Sequence, residues 1–226
     1  MADNAVHEMD NAERKRQLQK KRMMHYFIDA AVQIIDEEGI DGVSIRKVAD
    51  IAGYNSATLY NYFDDLPHLL FFASLTYMEE YIDDLPNYIR YVENAEDMYL
   101  MVWDVFLDHA FLKPSVYRTL FFSDLKRDRD IYVTEYYALY PYDIKKFPPR
   151  LRRMIEHTYI FDRTKILLQD CVEEGFVRES AVGPIIDFTL SILESQLRAV
   201  EKGSQSAGSG KEKCRDYIHL IYRKLK

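Results

Sequence analysis

The sequence predicts an all-α protein of about nine or ten helices. Gly and Pro number only 8 and 7 among 226 residues, so few residues interrupt regular structure. Apolar residues recur at intervals of three and four along nearly the whole chain, which is the spacing of amphipathic helices. No convincing stretch alternates apolar and polar side chains as a half-buried strand does. A hydrophobic content of 48% is sufficient for a packed core.

Breakers and capping residues place the helices in order along the chain. Gly39 ends the first helix, Ser44 caps the second, Gly53 makes the next turn and Asn55 or Ser56 caps the third. Helices are expected over residues 14–38, 45–52, 56–63, 66–85, 94–113, 114–123, 129–139, 150–174, 184–202 and 211–226. Residues 1–13 are expected to be a disordered segment, and the composition of 203–210 (GSQSAGSG) is typical of a flexible connector.

Composition limits the possible environments of the protein. The longest apolar stretch, Tyr99–Leu112, contains two aspartates and a histidine, so we expect a buried helix rather than a membrane span. The first 22 residues lack the apolar core of a signal peptide. Two cysteines, Cys171 and Cys214, are too few for a disulfide framework. We therefore expect a cytoplasmic protein with no membrane partner.

The second and third helices are short and are joined by a tight turn at Gly53, behind a longer first helix. That arrangement is typical of a helix-turn-helix unit, whose second short helix enters the DNA major groove. The outer face of such a helix needs small or hydrogen-bonding side chains, which Asn55, Ser56, Ala57, Thr58 and Tyr60 supply. Leu59 and Phe63 would face inward. A plain helical hairpin with polar loop residues fits the same pattern, so both interpretations stay open on the pattern alone.

The charge distribution matters more than its sum. The net charge of −7 alone argues against a nucleic-acid partner. Residues 14–22, however, hold six basic side chains and no acidic one. A solvated helix start is the alternative interpretation. Lys20, Lys21 and Arg22 are our candidates for phosphate contacts from this basic arm.

The stretch Gly39–Phe63 resembles the DNA-binding signature of the TetR family of bacterial transcriptional regulators. The shared positions are Gly39, Ser44, Ile45, Arg46, Val48, Ala49, Ala52, Gly53, Leu59, Tyr60 and Phe63, followed by Leu69 and Leu70. The resemblance implies a helix-turn-helix DNA-binding domain over residues 14–65. It also implies a helical C-terminal domain over residues 66–226 that binds a small-molecule effector and forms a homodimer.

The resemblance also implies roles for individual residues. Phosphate or sugar contacts would come from Ser44, Thr58, Tyr60 and Tyr62. Candidate base contacts are Asn55, Ser56, Ala57 and Asn61, and Arg46 completes the candidate DNA-binding set. Phosphate contacts fix the register of a protein on DNA, whereas base contacts determine the sequence.

One departure from the family pattern concerns charge. The family usually has a lysine at the start of its fourth helix, donated to a phosphate, where this chain has Leu66 beside Asp64 and Asp65. We therefore infer weaker charge-driven binding from this face, with the basic arm as a compensating contact.

The sequence indicates the effector-binding residues less clearly than the DNA-binding ones. Candidate ligand-binding residues are Trp103, Phe106, His109, Phe111, Tyr117, Phe121, Tyr136, Tyr159 and Asp162. Aromatic residues at helical spacing more often belong to a core than to a ligand wall, and the same holds for a histidine among apolar residues. We expect a largely apolar or aromatic effector, with no cofactor and no metal ion.

Candidate dimer residues lie on the last two predicted helices: Ile185, Phe188, Ile192, Tyr217, Ile218 and Ile221. These apolar stripes could form a four-helix bundle with their copies. The alternative is that they pack inward within one chain.

The sequence thus predicts a ligand-responsive regulator, a repressor that binds a near-palindromic operator as a dimer. An enzyme is disfavoured because HExxH, CxxC, GxSxG and GxGxxG motifs are absent. Residues 205–212 end like a phosphate-binding loop but lack its first glycine and its final Ser or Thr. The rival hypothesis is a helical adaptor that has lost DNA binding, for which six clustered basic residues have no use.

Overall fold

The computed structural model describes residues 2–157 and 159–226, with side chains described from Glu13 onward. The described residues form helices and connecting loops without any β-strand, which confirms the all-α prediction. Eleven α-helices are present in this part of the chain: α1 Ala2–Glu38, α2 Ile45–Ala52, α3 Ser56–Leu59, α4 Leu66–Ile89, α5 Ala95–Leu112, α6 Pro114–Phe122, α7 Arg129–Leu139, α8 Pro149–Ile155, α9 Ile160–Glu173, α10 Glu179–Glu201 and α11 Ala207–Leu225. Short 3₁₀ turns occupy Ile40–Gly42 and Ile144–Lys146.

The eleventh helix arises where one long helix was predicted. The stretch 150–174 is divided into α8, which ends at Ile155, and α9, which begins at Ile160. Its sequence, EHTY, contains neither Gly nor Pro, so no breaker marks the division. Arg163, near the start of α9, donates from Nε to the carbonyl oxygen of His157 over 2.6 Å. The bond satisfies the backbone carbonyl of His157, which lies between the two helices.

Two helices extend beyond their predicted ends. The helix α1 begins at Ala2, so the segment 1–13 predicted to be disordered is helical from its second residue. This stretch contains no Gly or Pro that would stop a helix. The helix α4 passes through Pro86 to Ile89, although Pro86 was expected to follow its end. A proline removes one backbone donor without requiring that the helix stop.

The connector predicted to be flexible is partly helical. Ser206 caps α11, and its Oγ accepts a hydrogen bond from the backbone N–H of Ser209 over 3.2 Å. Gly210 is buried within α11, where an added Cβ would lie 2.7 Å from a methyl carbon of Val200 and 2.8 Å from the ring of Phe111. The glycines of this stretch therefore include one that permits close packing.

By the density of internal contacts the chain forms two compact units. The first contains the chain up to Ala73 together with Asp124–Tyr140, and the second contains Ser74–Ser123 and Pro141–Lys226. This division differs from the predicted boundary at residue 65, because α7 and the first turns of α4 join α1, α2 and α3. The assignment of separate functions to residues 14–65 and 66–226 stays a prediction.

Each unit has its own core. In the first, the predicted inner face of α1 is buried at Phe27, Ala31, Ile34 and Ile35. In the second, α10 packs on α6, α9 and α11, while α5 packs on α9 and α11. Both cysteines of the sequence are buried as free thiols in this second core.

Candidate nucleic-acid interface and effector cavity

Local hydrogen bonds fix the turn between α2 and α3. Ser44 caps α2, and its Oγ accepts from the backbone N–H of Lys47 over 3.3 Å. Gly53 ends α2 with φ 77°, a left-handed conformation that glycine adopts without a Cβ penalty. Asn55 then caps α3, with Oδ1 accepting from the backbone N–H of Thr58 over 2.8 Å. The predicted cap and turn residues are therefore confirmed.

The third helix is shorter than predicted but presents the expected faces. Regular α-helix ends at Leu59, and the chain continues as a turn in which Phe63 donates its N–H to the carbonyl of Leu59 over 3.1 Å. Leu59 and Phe63 are buried. The exposed candidates are Asn55, Ala57, Tyr60 and Asn61, while Ser56, Thr58 and Tyr62 are partly buried.

Two tyrosines beside α3 rest on the core of the first unit. The ring centroid of Phe27 lies 5.7 Å from that of Tyr54 and 6.0 Å from that of Tyr62. Tyr60 points away from this core and is 57% exposed. Among the three tyrosines, Tyr60 is therefore the one most available to a partner.

Part of the basic arm lies next to the turn that follows α3. Arg16 and Lys20 of α1 line a groove together with Asn61 and Tyr62. The ammonium group of Lys21 lies 5.8 Å from the ring centroid of Tyr140. Arg22 is exposed, and Arg46 on α2 has a side chain that is 90% exposed.

The two aspartates before α4 have cationic partners. The Nε of Arg127 and the hydroxyl of Tyr132 each donate to Oδ2 of Asp64 over 2.8 Å. The ammonium group of Lys126 lies 3.3 Å from Oδ2 of Asp65. Burial raises the pKa of Asp64, but the bond from Tyr132 and the charge of Arg127 lower it more, so the net pKa is below its usual value. The acidic pair is thus partly compensated by two cations that the sequence did not associate with it, one of which it shares with a third carboxylate.

A buried histidine lies beneath this network. His68 is 2% exposed, and its Nδ1 accepts from the backbone N–H of Asp64 over 3.1 Å. Its ring centroid is 4.0 Å from that of Tyr132 and 4.6 Å from that of Phe72. Burial lowers the pKa of His68 to about 4, against the attraction of the Asp64 carboxylate.

The second unit contains a small, largely apolar cavity between α4, α5, α8 and α9. Its volume is about 20 Å³, and its wall includes Met78, Tyr81, Trp103, Phe106, Met154 and Arg163. Trp103 and Phe106 were predicted ligand residues, and the structure places both at this cavity. A space of this size accommodates roughly one water molecule. An organic ligand must therefore displace side chains on entering it.

The other predicted ligand residues lie away from the cavity wall. His109 is placed with its Nε2 3.2 Å from Oδ2 of Asp84, and the hydroxyl of Tyr117 donates to the carbonyl of Tyr77 over 3.1 Å. Tyr136 packs in the core of the first unit. Phe111, Phe121, Tyr159 and Asp162 also do not line this cavity. Phe111, Tyr117 and Tyr136 are buried in the core, which was the alternative interpretation of aromatic residues at helical spacing.

Sequence reasoning missed the charged residue of the cavity. Arg163 lies at helical spacing with Ile160 and Leu167, in an apolar stripe of α9, and is 6% exposed. A basic residue at an apolar position of a helical pattern was the available signal. Helical spacing alone does not show whether a long basic side chain reaches solvent or a cavity.

The predicted dimer residues fall into two groups. Ile185 and Ile218 are completely buried within the chain, so they belong to its own core and correct that part of the prediction. Phe188 is 55% and Tyr217 45% exposed. Ile192 and Ile221 are partly buried, and exposed Leu220 was not predicted.

Comparison with known families agrees with the resemblance in the sequence. The profile of a family described as bacterial regulatory proteins, tetR family, matches residues 27–69, which contain α2, α3 and the start of α4. Residues 27–69 are therefore similar to the N-terminal region of that family. The match includes every candidate DNA-binding residue except the three of the basic arm. No curated protein sequence matches the chain.

Solved structures, among them TetR-family regulators, share the fold over most of the chain. RolR in complex with resorcinol is 16% identical with a TM-score of 0.60, covering 92% of this chain and 89% of its own. FadR of Thermus thermophilus in complex with lauroyl-CoA is 11% identical with a TM-score of 0.55, covering 86% and 92%. PfmR, also of Thermus thermophilus, is 20% identical with a TM-score of 0.52, covering 88% and 98%. At sequence identities this low, the structural similarity establishes a common fold and nothing more.

Two further features of the described residues concern metal ions and membranes. Within residues 13–157 and 159–226, no cluster of three or more His, Cys, Asp and Glu side chains is placed to hold a metal ion. No helix in the described part of the chain is long and apolar enough to span a membrane.

Proposed function

We propose that this protein is a ligand-responsive repressor of the TetR family that binds a near-palindromic operator as a homodimer and releases it when an effector binds. The observation that carries the proposal is the exposed row of Asn55, Ala57, Tyr60 and Asn61 on and beside α3. This row is rigidly supported by the Asn55 cap and by buried Leu59 and Phe63. Such a protein works at DNA and therefore in the bacterial cytoplasm.

The roles of the individual side chains follow from their chemistry. Asn55 and Asn61 carry amide groups that can pair with base edges, and the Ala57 methyl can contact thymine. Ser44, Thr58, Tyr60 and Tyr62 offer hydroxyls for phosphate oxygens. Arg46 and the basic arm of Lys20, Lys21 and Arg22 would supply the cations for nonspecific attraction.

A twofold dimer would present two recognition helices to one DNA face, about 34 Å apart or a multiple of it. The exposed apolar side chains of α10 and α11, Phe188, Tyr217 and Leu220, support this proposal because the two helices pack side by side. Ile192 and Ile221, each partly buried, are at the edge of that surface.

Effector binding is proposed at the cavity around Trp103 and Phe106. The ligand would have to favour one conformation of the protein, since only a difference in affinity between two states shifts their populations. RolR and FadR hold resorcinol and lauroyl-CoA, respectively, which supports an organic effector here. The helix α4 carries Met78 and Tyr81 of the cavity wall and begins at Leu66, just after the recognition residues. Movement of α4 is therefore the proposed route from effector to operator.

Selection of genomic fragments by the purified protein tests this function. Sheared DNA of the source organism would be bound, washed at moderate salt and sequenced, with Tyr60→Ala and Asn61→Ala as variants. We expect the wild-type protein to enrich a few fragments that share a near-palindrome, and both variants to lose them. An asymmetric footprint over a single half-site would contradict the dimeric arrangement.

A helical adaptor that retains the fold without specific DNA binding is the second candidate. The place of the usual lysine is taken by Leu66, which favours this alternative. Equal, weak recovery of all fragments by wild type and variants in the same selection would support the adaptor.

A further inference from the structure

We propose that residues 141–155, which we call the strap, form a lid over the effector cavity that opens to admit the ligand. The strap contains the 3₁₀ turn Ile144–Lys146 and the short helix α8, which contributes Met154 to the cavity wall. The inference rests on the proposed function, because it concerns access to the proposed effector site. It goes beyond that function because it assigns the entry of the ligand to one segment of the chain.

The helices around the cavity differ in how firmly they are buried. The space of about 20 Å³ holds no organic ligand while all four helices keep their places, so one of them must move. Each of α4, α5 and α9 buries at least six side chains in the described structure, whereas the seven-residue α8 buries Leu151, Met154 and Ile155. Because burial of apolar side chains is the main source of packing energy, displacing α8 costs least.

A single carboxylate on α4 holds the first part of the strap. Oδ1 of Asp83 accepts from the hydroxyl of Tyr142 over 2.6 Å and from the ammonium group of Lys146 over 2.5 Å. Burial raises the pKa of Asp83, but the bonds from Lys146 and Tyr142 lower it more, so the net pKa is below its usual value. The side chains of Asp83 and Lys146 are 52% and 46% exposed, so water and salt compete for their contact. The contact can therefore break without leaving a charge buried.

A second carboxylate, on α9, holds α8. Oδ1 of Asp170 lies 2.9 Å from Nη1 of Arg153, and its Oδ2 lies 3.7 Å from Nε of Arg150. The Asp170 side chain is 5% exposed, and burial raises its pKa while the two arginines lower it only in part. Taking these cations away would leave a buried carboxylate uncompensated, which is unfavourable. This contact therefore favours the closed strap, whereas the exposed contact at Asp83 is the one that releases it.

Contacts within the strap connect its two ends. The ring centroids of Tyr142 and Phe147 lie 6.0 Å apart, with their planes 22° from parallel. Arg152 of α8 donates from Nη2 to the carbonyl of Phe147 over 3.1 Å. The residue that Asp83 holds is thus joined to α8 through Phe147. Release at Asp83 should therefore displace Met154 from the cavity wall.

Acrylamide quenching of Trp103 fluorescence measures access to the cavity in the full-length protein. Trp103 is the single tryptophan, lines the cavity and is 3% exposed, so this small neutral quencher reaches it only when a wall opens. Asp83→Asn should raise the quenching constant about two- to fivefold, the range expected for loss of an exposed ion pair. Added salt should raise it in wild type more than in the variant, because salt screens the same pair. An unchanged quenching constant in Asp83→Asn would overturn the proposal.

A charge exchange assigns the effect to the pair. Asp83→Lys and Lys146→Asp each place like charges together and should increase quenching more than Asp83→Asn does. The double variant restores opposite charges and should return quenching toward the wild-type value. Asp108→Asn is the matched control, because the Asp108 side chain is 45% exposed, pairs with Lys211 over 2.9 Å and does not line the cavity. An equal rise in this control would contradict a specific role of the strap.

Hydrogen exchange of backbone amides locates the opening. Amides of the strap should exchange faster in Asp83→Asn than in wild type, while those of α5 and α9 keep their rates, because a local opening exposes only the segment that moves. Equal acceleration in the strap, α5 and α9 would show that the substitution loosens the whole second unit, and would overturn the lid.

Neither measurement requires DNA or an identified ligand, so the lid and the repressor can fail separately. Specific opening of the strap in a protein that selects no operator would support the lid and contradict the repressor. Selection of an operator by a protein whose Trp103 is quenched equally in wild type and Asp83→Asn would support the repressor and overturn the lid.

Discussion

The recognition surface around α3 and the cavity around Trp103 contrast in how each meets a partner. Around α3, polar side chains stand exposed on a short helix whose turn, cap and anchors come from a few neighbouring residues. Around Trp103, apolar side chains from four helices enclose about 20 Å³ and a single buried charge. The first surface is exposed and preformed, as the proposed contact with DNA requires. The second is nearly closed, so the proposed effector would have to change the protein on entering, as a switch requires.

The largest expected effect concerns the core that supports the recognition surface. Phe27 is completely buried and contacts the rings of Tyr54, Tyr62 and Phe63. Phe27→Ala should lower the free energy of unfolding by about 3–5 kcal/mol, because it removes apolar contacts and leaves a cavity. Urea unfolding followed by circular dichroism measures the change. The exposed Tyr60→Ala is the control, and an equal loss there would contradict a preformed surface with separate support.

The second effect depends on pH through His68. Its folded pKa of about 4 lies below the usual 6.5, so the unfolded chain binds a proton first as pH falls. Stability should therefore be complete above pH 6.5 and decline from pH 6.5 to 4 with a slope of up to about 1.4 kcal/mol per pH unit. His68→Gln should flatten the decline measured by urea unfolding across this range. Identical slopes in variant and wild type would show that His68 is not a source of acid sensitivity.

A smaller effect separates capping from contact within the recognition surface. Asn55→Ala removes the oxygen that accepts the Thr58 N–H, and should lower the free energy of unfolding by about 1 kcal/mol. Asn61→Ala removes an exposed amide beyond the end of α3 and should leave stability within about 0.5 kcal/mol of wild type. Thermal unfolding of both variants checks this. If the Asn61 variant proves the less stable, the cap is not what orders α3.

The smallest effect concerns the basic arm. Lys20 lines the groove beside Asn61 and Tyr62, whereas Lys21 lies over the ring of Tyr140. Lys20→Gln should therefore reduce the slope of log affinity against log salt by about 0.9, the amount expected for one phosphate contact. Lys21→Gln should reduce it less. Unchanged slopes in both variants would remove the arm from the interface.

Local rules explain why the turn between α2 and α3 and its capping residues could be predicted from sequence. Ser44, Gly53 and Asn55 act through hydrogen bonds or torsions within three or four residues, which residue type alone indicates. The cavity depends on contacts between distant segments. Trp103 and Phe106 were chosen as candidates because they are large aromatic residues, and both line the cavity. The seven other aromatic or polar candidates do not line it. Arg163 was missed because helical spacing does not show whether a basic side chain reaches solvent or a cavity.

The ion pairs near the start of α4 could not be predicted either, because they join residues that are distant in the sequence. The sequence shows Asp64 and Asp65 beside Leu66, and suggests an unfavourable patch for DNA. Lys126 and Arg127, about sixty residues later, supply the opposite charges only after α7 packs in the first unit. No local pattern could have paired them.

Fluorescence anisotropy of the labelled DNA immediately upstream of the gene tests the central claim most directly. Wild type and Tyr60→Ala would be titrated at several salt concentrations, with a scrambled sequence of equal length beside the upstream fragment. The account predicts tight, salt-sensitive binding of the upstream DNA by wild type, weaker binding of the scrambled DNA, and loss of the preference in Tyr60→Ala. Equal affinity of both proteins for both sequences would contradict a sequence-specific recognition surface at α3.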